Sequence, residues 1–387
     1  MKTLQLVPAM EQGGVERGVV EVNRAIVSAG WENVVVSAGG RLVDQIVADG
    51  GRHVEMDVKS KNPLTCISRA LRLRKILKAE RPDVVCAHSR VPAWLFVLAN
   101  LGLGLKWITF AHGANSVSMY SKVMTFGDLV VTPSQFIADY LKKNYKLENE
   151  RIRVIPRAID RRKFDIDNLD RDFIAAKRTE WGIDGRFVVM GVGRITQLKG
   201  YDMLIRAVMK AKSMASSMNA VGTSRGRPFK LVIVGEAELA RKGVEEDLRT
   251  LVKSLGMEND VAFAGNQRKI AECLSMADVV VSSNTRKPEA FGRSMAEAIA
   301  MGTPVVAKAF GGALDIVDDG VNGVLVPDDV SHDVEEESAA FADAITKVSG
   351  MSFGDLRSPA LEKFSFDLMI DRTMRTYTEL AGEHLGT

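Results

Sequence analysis

Phe187-Val188-Val189-Met190-Gly191-Val192-Gly193-Arg194, followed shortly by Lys199-Gly200 at the start of a helical pattern, is the stretch that decides the fold. Its apolar run does not alternate with polar residues. A strand of that kind is buried on both faces, as in parallel sheets covered by helices. The glycines at its end allow a tight passage from strand to helix. Arg194 at the strand end and Lys199 at the helix start then converge beyond the carboxyl edge of the sheet, where open α/β folds bind ligands. Most arginines and lysines are simply solvated, so only position argues for more here. Two cations in that position suit a diphosphate, Arg194 by bidentate donation and Lys199 as a compact charge.

The same grammar repeats outward from this stretch. A strand-like stretch at 4–7 and apolar runs at 34–37, 84–87, 107–111 and 129–132 precede it, and others at 230–234, 261–263, 279–282 and 304–307 follow, with helical patterns between them. A doubly wound α/β pattern is therefore written twice. The polar stretch 161–178, after Val154-Ile155-Pro156, is read as the hinge. Domains are expected at 1–170 and 171–363, with 364–387 a helical segment able to return to the first domain. Residues 213–227, rich in Ser, Met, Gly and Asn, read as an enlarged surface loop.

Composition agrees with this organisation. A chain of 387 residues exceeds one ordinary core, and 46% hydrophobic with 26% charged residues excludes disordered, collagen-like and membrane-embedded classes. Residues 1–10 lack the tripartite pattern of a signal peptide, and the longest apolar stretch, 91–105, is interrupted by Asn100 and glycines. It falls short of the roughly 20 residues of a spanning helix. A cytoplasmic location is expected. Cys66, Cys86 and Cys273 are too few and too scattered for a disulfide framework or zinc cluster and read as small buried hydrophobes. Residues 1–180 carry 28 Lys and Arg against 20 Asp and Glu (+8), the remainder 24 against 29 (−5). A basic half fits an anionic partner or an ordinary mixed surface, and nothing calls for nucleic acid.

Two further segments carry chemistry. Gly13-Gly14-Val15-Glu16 opens a helix extending to about residue 29, where close approach and free backbone amides favour an anion, although a tight turn alone also requires glycine. Lys287-Pro288-Glu289-Ala290-Phe291-Gly292-Arg293-Ser294-Met295-Ala296-Glu297-Ala298 places Glu289 in a loop after the strand at 279–282 and starts a helix at 294–301. Across a helix, eight residues rise about 12 Å, more than the roughly 5 to 5.5 Å between the carboxylates of a retaining glycosidase. Glu289 and Glu297 therefore serve different tasks, one at a sugar and one at a ribose.

The pair resembles the Glu-x7-Glu signature of family four of the retaining glycosyltransferases, which have the GT-B fold: two facing Rossmann-like, doubly wound domains with a cleft between them. The likeness runs through Gly13-Gly14-Val15-Glu16, Ala111-His112-Gly113, Val154-Ile155-Pro156, Gly193-Arg194 with Lys199-Gly200, the Glu289 segment, Gly302-Thr303-Pro304-Val305-Val306 and Phe364-Ser365-Phe366. It implies that Arg194 and Lys199 bind the donor diphosphate, Glu289 the donor sugar and Glu297 the ribose. The backbone of Phe291-Gly292-Arg293 would lie near sugar and phosphate, Gly13, Gly14 and Gly193 would permit close approach, and His112 would lie beside the transferring sugar. The ordinary alternative for His112 is a strand-end residue capping a turn. Arg157-Ala158-Ile159-Asp160 and Gly235-Glu236-Ala237-Glu238 depart from the family pattern locally. Asp165-Ile166-Asp167, which resembles a metal motif of another glycosyltransferase fold, reads as a solvated turn, and no metal or other cofactor is expected.

The cast of Glu289 to Arg293 and of Ile155-Pro156-Arg157 is most similar to bacterial enzymes of lipopolysaccharide core synthesis. Expected partners are a nucleotide-sugar donor and a glycan or lipid-linked acceptor. Another GT-B activity, such as sugar-nucleotide epimerisation or transfer to a soluble acceptor, is the alternative, and a non-catalytic sugar-binding protein is a third. A nicotinamide-dependent dehydrogenase is disfavoured because no Gly-x-Gly-x-x-Gly follows a first strand. Finally, residues 65–80 read as a helix with Cys66, Ala70, Leu73 and Leu77 in one stripe and Arg69, Arg72, Arg74, Lys75 and Lys78 on its flanks. Arg72, Arg74, Lys75 and Lys78 are candidates for contact with an anionic membrane surface, against the plainer reading of a sheet-packed helix with solvated cations.

Overall fold

The computed structural model describes residues 1–382 except 12, 219–226, 238–242 and 330–332. The chain divides into two compact units, Met1–Pro156 with Asp367–Thr387, and Arg157–Phe366. In the first, strands β1 (Lys2–Leu6), β2 (Glu32–Ser37), β3 (Arg52–Glu55), β4 (Val84–Ala87), β5 (Trp107–Phe110), β6 (Leu129–Thr132) and β7 (Ile152–Val154) lie in the order β3-β2-β1-β4-β5-β6-β7. In the second, β8 (Phe187–Val192), β9 (Phe229–Val234), β10 (Val261–Gly265), β11 (Val279–Ser282), β12 (Val305–Lys308) and β13 (Gly323–Val326) lie in the order β10-β9-β8-β11-β12-β13. Every pairing in both sheets is parallel. Strand order reverses between β1 and β4 and between β8 and β11, which opens a crevice at each carboxyl edge.

Burial explains why these runs are strands. Val84–Ala87 and Phe229–Val234 are buried at every position, so each strand has helices on both faces. Separate apolar clusters form on the two faces of the second sheet, one containing Val188, Met190 and Phe291, the other Val189, Leu204 and Phe341. Three strands escape the sequence reading, β3, β7 and β13. The first two are short and only partly buried, so no continuous apolar run marks them.

The polar stretch 161–178 is tied into the second unit. Phe164 is buried in that core, and Arg357 donates through Nη1 to the carbonyls of Phe164 and Ala300. Asp165 accepts from the Asp167 amide at 3.1 Å and lies 3.7 Å from Arg357. At the other end of this unit the helix Phe366–Ala381 departs, and from Asp367 it groups with the first unit. There Tyr377 is fully buried, and Arg153 makes a forked ion pair with Glu379. The reading of 213–227 as loop changes, since the helix Tyr201–Met218 carries through its first residues, while 219–226 lie outside the described residues. Ser213 still has good helix neighbours, and composition alone hid the continuation.

Cys86 and Cys273 are buried, and burial pushes both thiols up to about 12. Cys66 is only half-buried, because the helix Cys66–Glu80 seats Arg69, Ala70, Leu73 and Leu77 instead. On that helix Arg72 donates to the Glu55 carbonyl, and Arg74 to those of Ala99 and Leu101, while Lys75 and Lys78 are exposed. A second apolar row that the sequence reading overlooked, Leu64, Ile67 and Leu71, is 89%, 71% and 57% exposed. No helix among the described residues is long and apolar enough to cross a membrane.

Candidate active site

The carboxyl edge of β8 and β11 gathers most of the residues singled out by sequence. β8 runs into Gly193 and Arg194, and a 3-10 turn, Gln197–Lys199, then delivers Lys199 beside Gly193. The Ser283 hydroxyl, just past β11, donates to the Lys199 carbonyl at 2.6 Å and fixes this turn against the neighbouring strand end. Lys199 forms an ion pair with Glu289, the two side chains being 29% and 19% exposed. A pair this far out of water holds its geometry while keeping one side open. Tyr201 donates its hydroxyl to the Gly193 carbonyl at 3.0 Å. Burial first, and the Glu289 charge second, push its phenol above the ordinary range, so it remains a donor.

Glu289 is held by its backbone. Its carbonyl accepts from the Gly312 amide at 2.8 Å, and a Cβ on Gly312 would meet the Phe291 carbonyl oxygen at 2.5 Å. Sequence reading passed over this Gly311-Gly312 turn, although two adjacent glycines after a strand are a recognisable signal. Phe291 is buried and meets Phe364 edge-on at 5.5 Å, which places the Phe364-Ser365-Phe366 motif under the site. Gly292 has φ +92°, and a Cβ there would lie 2.1 Å from Met295 Cε and 3.2 Å from Glu289 Oε2. The helix Arg293–Ala300 follows, and Arg293 reaches Glu297 one turn on at 3.4 Å. The Glu297 side chain is only 14% exposed, flanked by buried Ala296, Ala298 and Ile299.

Next to this group is a cavity of about 670 Å³, lined by Gly193, Arg194, Gly235, Glu236, Asn266 and Gln267 among others. Its walls are the turns after β8, β9 and β10, tied to one another by Gly193 N–H to Val234 O at 2.9 Å, Ile195 N–H to Glu236 O at 3.0 Å and Gly235 N–H to Gly265 O at 2.9 Å. Gly235, at φ +146°, brings its own Cα so close to β8 that a Cβ would lie 2.0 Å from the Gly193 carbonyl oxygen. Asn266 and Gln267 escaped the sequence reading. Polar residues directly after a strand of the sheet were the available signal. Lys199, Glu289, Phe291, Gly292, Arg293 and Glu297 do not line this cavity. The second unit therefore carries two adjoining features, a polar cavity and a charged strand edge.

In the first unit, the helix Gly14–Ser28 starts at Gly14 with Gly13 as its extended cap. A Cβ on Gly13 would lie 2.2 Å from Glu16 Oε2, so the helix start is met by the chain's own carboxylate. The positive end of the helix favours a negative group there. His112 follows β5, and His88 follows the adjacent β4. His88 Nδ1 lies 3.1 Å from His112 Nε2, and His88 Nε2 lies 2.7 Å from Gln5 Oε1. The rings of His88 and Phe110 stack at 4.5 Å. Sequence reading found His112 but not His88 or Gln5, which the parallel register of β1, β4 and β5 sets side by side. Arg72, Arg74, Lys75 and Lys78 lie on the helix after β3, in the same unit.

With two doubly wound sheets and a charged edge at one switch point established, comparison with known proteins gives the class. The profile of group 1 glycosyl transferases matches residues 173–349, and that of glycosyltransferase family 4 matches residues 12–163. The chain is 35% identical over 207 residues to the D-inositol 3-phosphate glycosyltransferase of Acidothermus cellulolyticus, covering 53% of this chain and 43% of that protein. It spans about half the length of most of the curated relatives it matches. A glycosyltransferase from Rickettsia africae superposes with a TM-score of 0.80 at 26% identity, covering 98% of each chain. Anabaena HepE, solved with UDP-glucose, superposes with a TM-score of 0.75 at 20% identity over 98% of this chain and 100% of its own, and so shares the fold. The chain belongs to family four of the glycosyltransferases and has the GT-B fold.

Proposed function

We propose that the protein transfers a hexose-type sugar from a nucleotide-diphosphate sugar to a glycan or lipid-linked acceptor, with retention and without a metal, in lipopolysaccharide core or cell-surface polysaccharide synthesis. The observation that carries this reading is the charged edge of β8 and β11, where Arg194 lines a polar cavity, Lys199 with its partner Glu289 stands beside Gly193 of that cavity's wall, and Arg293 pairs with Glu297 on the helix that follows. The cavity is large enough for a nucleotide, with Asn266 and the Gln267 amide oxygen available to its base, the Gln267 nitrogen already donating to the Ala264 carbonyl. Glu297, packed among alanines, is an acceptor for the ribose hydroxyls. Arg194 and Lys199 neutralise the diphosphate, whose charge grows as the sugar departs, so the binding energy they supply is greatest in the transition state. Glu289, whose backbone carbonyl is held by the Gly312 amide, is the acceptor for the sugar hydroxyls. The UDP-glucose complex of HepE supports a donor of this type.

The acceptor side of the reading rests on the first unit. An apolar recess of about 300 Å³ is lined there by Pro63, Cys66, Val91, Trp94, Leu98 and Tyr120. The exposed row of Leu64, Ile67 and Leu71 adjoins it along the chain, with Lys75 and Lys78 farther down the helix. Apolar residues that enter the headgroup boundary, with lysines drawn to anionic lipid, are the chemistry of reversible membrane contact. Arg72 and Arg74 contribute less to it, because both already donate to backbone carbonyls.

A thermal-shift series with UDP, GDP, ADP and their sugars tests the donor assignment, since a ligand of the native state raises its stability. One nucleotide series is expected to shift melting, and the transferred sugar is expected to keep its anomeric configuration by NMR. Failure of every nucleotide to bind overturns the reading. For the acceptor, co-sedimentation with anionic vesicles is expected to weaken in Leu64→Ser/Ile67→Ser/Leu71→Ser and with rising salt. Wild-type indifference to such vesicles leaves a soluble acceptor as the outcome.

A further inference from the structure

A continuous hydrogen-bonded chain runs behind His112. Gln5 on β1 is 1% exposed and sits opposite Cys86 of β4 in the sheet register. Its amide nitrogen donates to the Tyr377 hydroxyl at 3.3 Å, on the helix Phe366–Ala381. Tyr377 and Cys86 are both fully buried; burial holds the thiol up to about 12 and raises the phenol well above its usual range, so each keeps its proton. In this chain of bonds the Gln5 amide nitrogen faces the tyrosine, and its oxygen faces His88 at 2.7 Å. An amide oxygen only accepts, so His88 carries its proton on Nε2. The Nδ1 of a neutral His88 then has a lone pair, 3.1 Å from His112 Nε2. That contact requires a proton on His112 Nε2 and leaves Nδ1 as the acceptor of the His112 ring.

We propose that His88, oriented by Gln5, is a positioning residue that fixes the tautomer and ring plane of His112, so that His112 Nδ1 serves as an acceptor for a sugar hydroxyl. The proposal rests on the glycosyl-transfer reading for its consequence, but not for its geometry. Stacking of His88 on Phe110 at 4.5 Å, with the planes 16° apart, restrains the first ring. The His88 and His112 rings lie 5.3 Å apart, also 16° from parallel, as two imidazoles sharing one in-plane hydrogen bond should. Sequence order brings the parts from four places; the sheet order β1-β4-β5 joins Gln5, His88 and His112, and the helix Phe366–Ala381 brings Tyr377 to them.

The test is imidazole nitrogen NMR on the full chain with isotopically labelled histidine, assigned with His88→Gln and His112→Gln. Protonated Nε2 and unprotonated Nδ1 are expected on both rings, with a scalar coupling from His112 Nε2 to His88 Nδ1 through the hydrogen bond. Opposite tautomers, or no such coupling, overturn the proposal. In transfer assays His88→Asn is expected to lower kcat about 10- to 100-fold with donor KM nearly unchanged, the scale usual for partners that orient a reacting group. Gln5→Met, one residue farther from the sugar, is expected to lower kcat in the same sense and to leave His88 with mixed tautomers while thermal unfolding stays cooperative. Full kcat in both variants overturns the positioning role. A wild type that transfers no sugar refutes the proposed function while the ring spectra still decide this one.

Discussion

The two units share one topology and equip it in opposite ways. At the switch point of the second sheet the strand ends present ions, with Lys199 against Glu289 and Arg293 against Glu297. At that of the first sheet they present Gln5, His88 and His112 in line, with the Glu16 carboxylate folded onto the helix start at Gly13. The lesson is that the parallel sheet supplies only the position, a crevice at the carboxyl edge. What it binds is set by a handful of side chains after the strands. Fixed opposite charges suit a diphosphate and its sugar, whereas a hydrogen-bonded chain of donors and acceptors suits the placing of a proton.

The sharpest way to break this contrast is to remove a charge from the second unit. Lys199→Ala is expected to reduce kcat about 100-fold or more, the scale of losing one preorganised donor to a developing anion, and Arg194→Ala to act in the same direction. Steady-state kinetics read it; full turnover in both variants would sink the diphosphate assignment. Smaller is the expected effect of Glu297→Ala, a loss of about 1.5 to 3 kcal/mol in donor affinity by calorimetry, because the ribose hydroxyls lose a charged acceptor. Unchanged affinity removes the ribose role.

A third substitution probes the frame and not the charges. Gly235→Ala is expected to destabilise the protein by about 1 to 3 kcal/mol, since a Cβ there meets the Gly193 carbonyl and the backbone is at φ +146°. Chemical denaturation measures it, and an unchanged midpoint would show that the cavity walls can yield. The first unit offers a milder contrast: at pH 8 iodoacetamide is expected to label half-buried Cys66 and to spare Cys86 and Cys273, whose thiols burial pushes up to about 12. Peptide mass spectrometry reads this, and labelling of Cys86 in the native protein contradicts the sealed hydrogen-bonded chain. Smallest of all, a chelator is expected to leave the transfer rate unaltered; loss of activity restored by magnesium or manganese refutes the metal-free mechanism.

These contrasts also show what the sequence could convey. Phe187 to Val192 and Val84 to Ala87 announce themselves because burial on both faces demands unbroken apolar runs. Arg52 to Glu55 does not, since it is the edge strand next to β2 and only partly buried. The Glu289 and Lys199 positions were legible because glycines and charges cluster there within one local segment. Gln5, His88 and Asn266 were not. Each is a single polar residue at the end of a strand, and its significance comes from neighbours that sheet pairing supplies across long stretches of chain. The helix Cys66–Glu80 shows a third case: its inward stripe is readable, whereas the exposed row of Leu64, Ile67 and Leu71 begins in the 3-10 turn Pro63–Thr65 before the helix, so the helical period alone does not gather it.

The helix Phe366–Ala381 has a consequence for the order in which the molecule is born. It leaves the second unit and buries Tyr377 against Gln5, a residue 372 positions earlier, in the first. During synthesis, Arg157–Phe366 emerges as one uninterrupted stretch and can close its own core, as contiguous domains generally do on the ribosome. The sheet begun by Lys2–Leu6 must instead wait, with Gln5 and Cys86 lacking their tyrosine partner, until more than two hundred further residues have been made. The half of the protein that is translated first is therefore the half that is finished last.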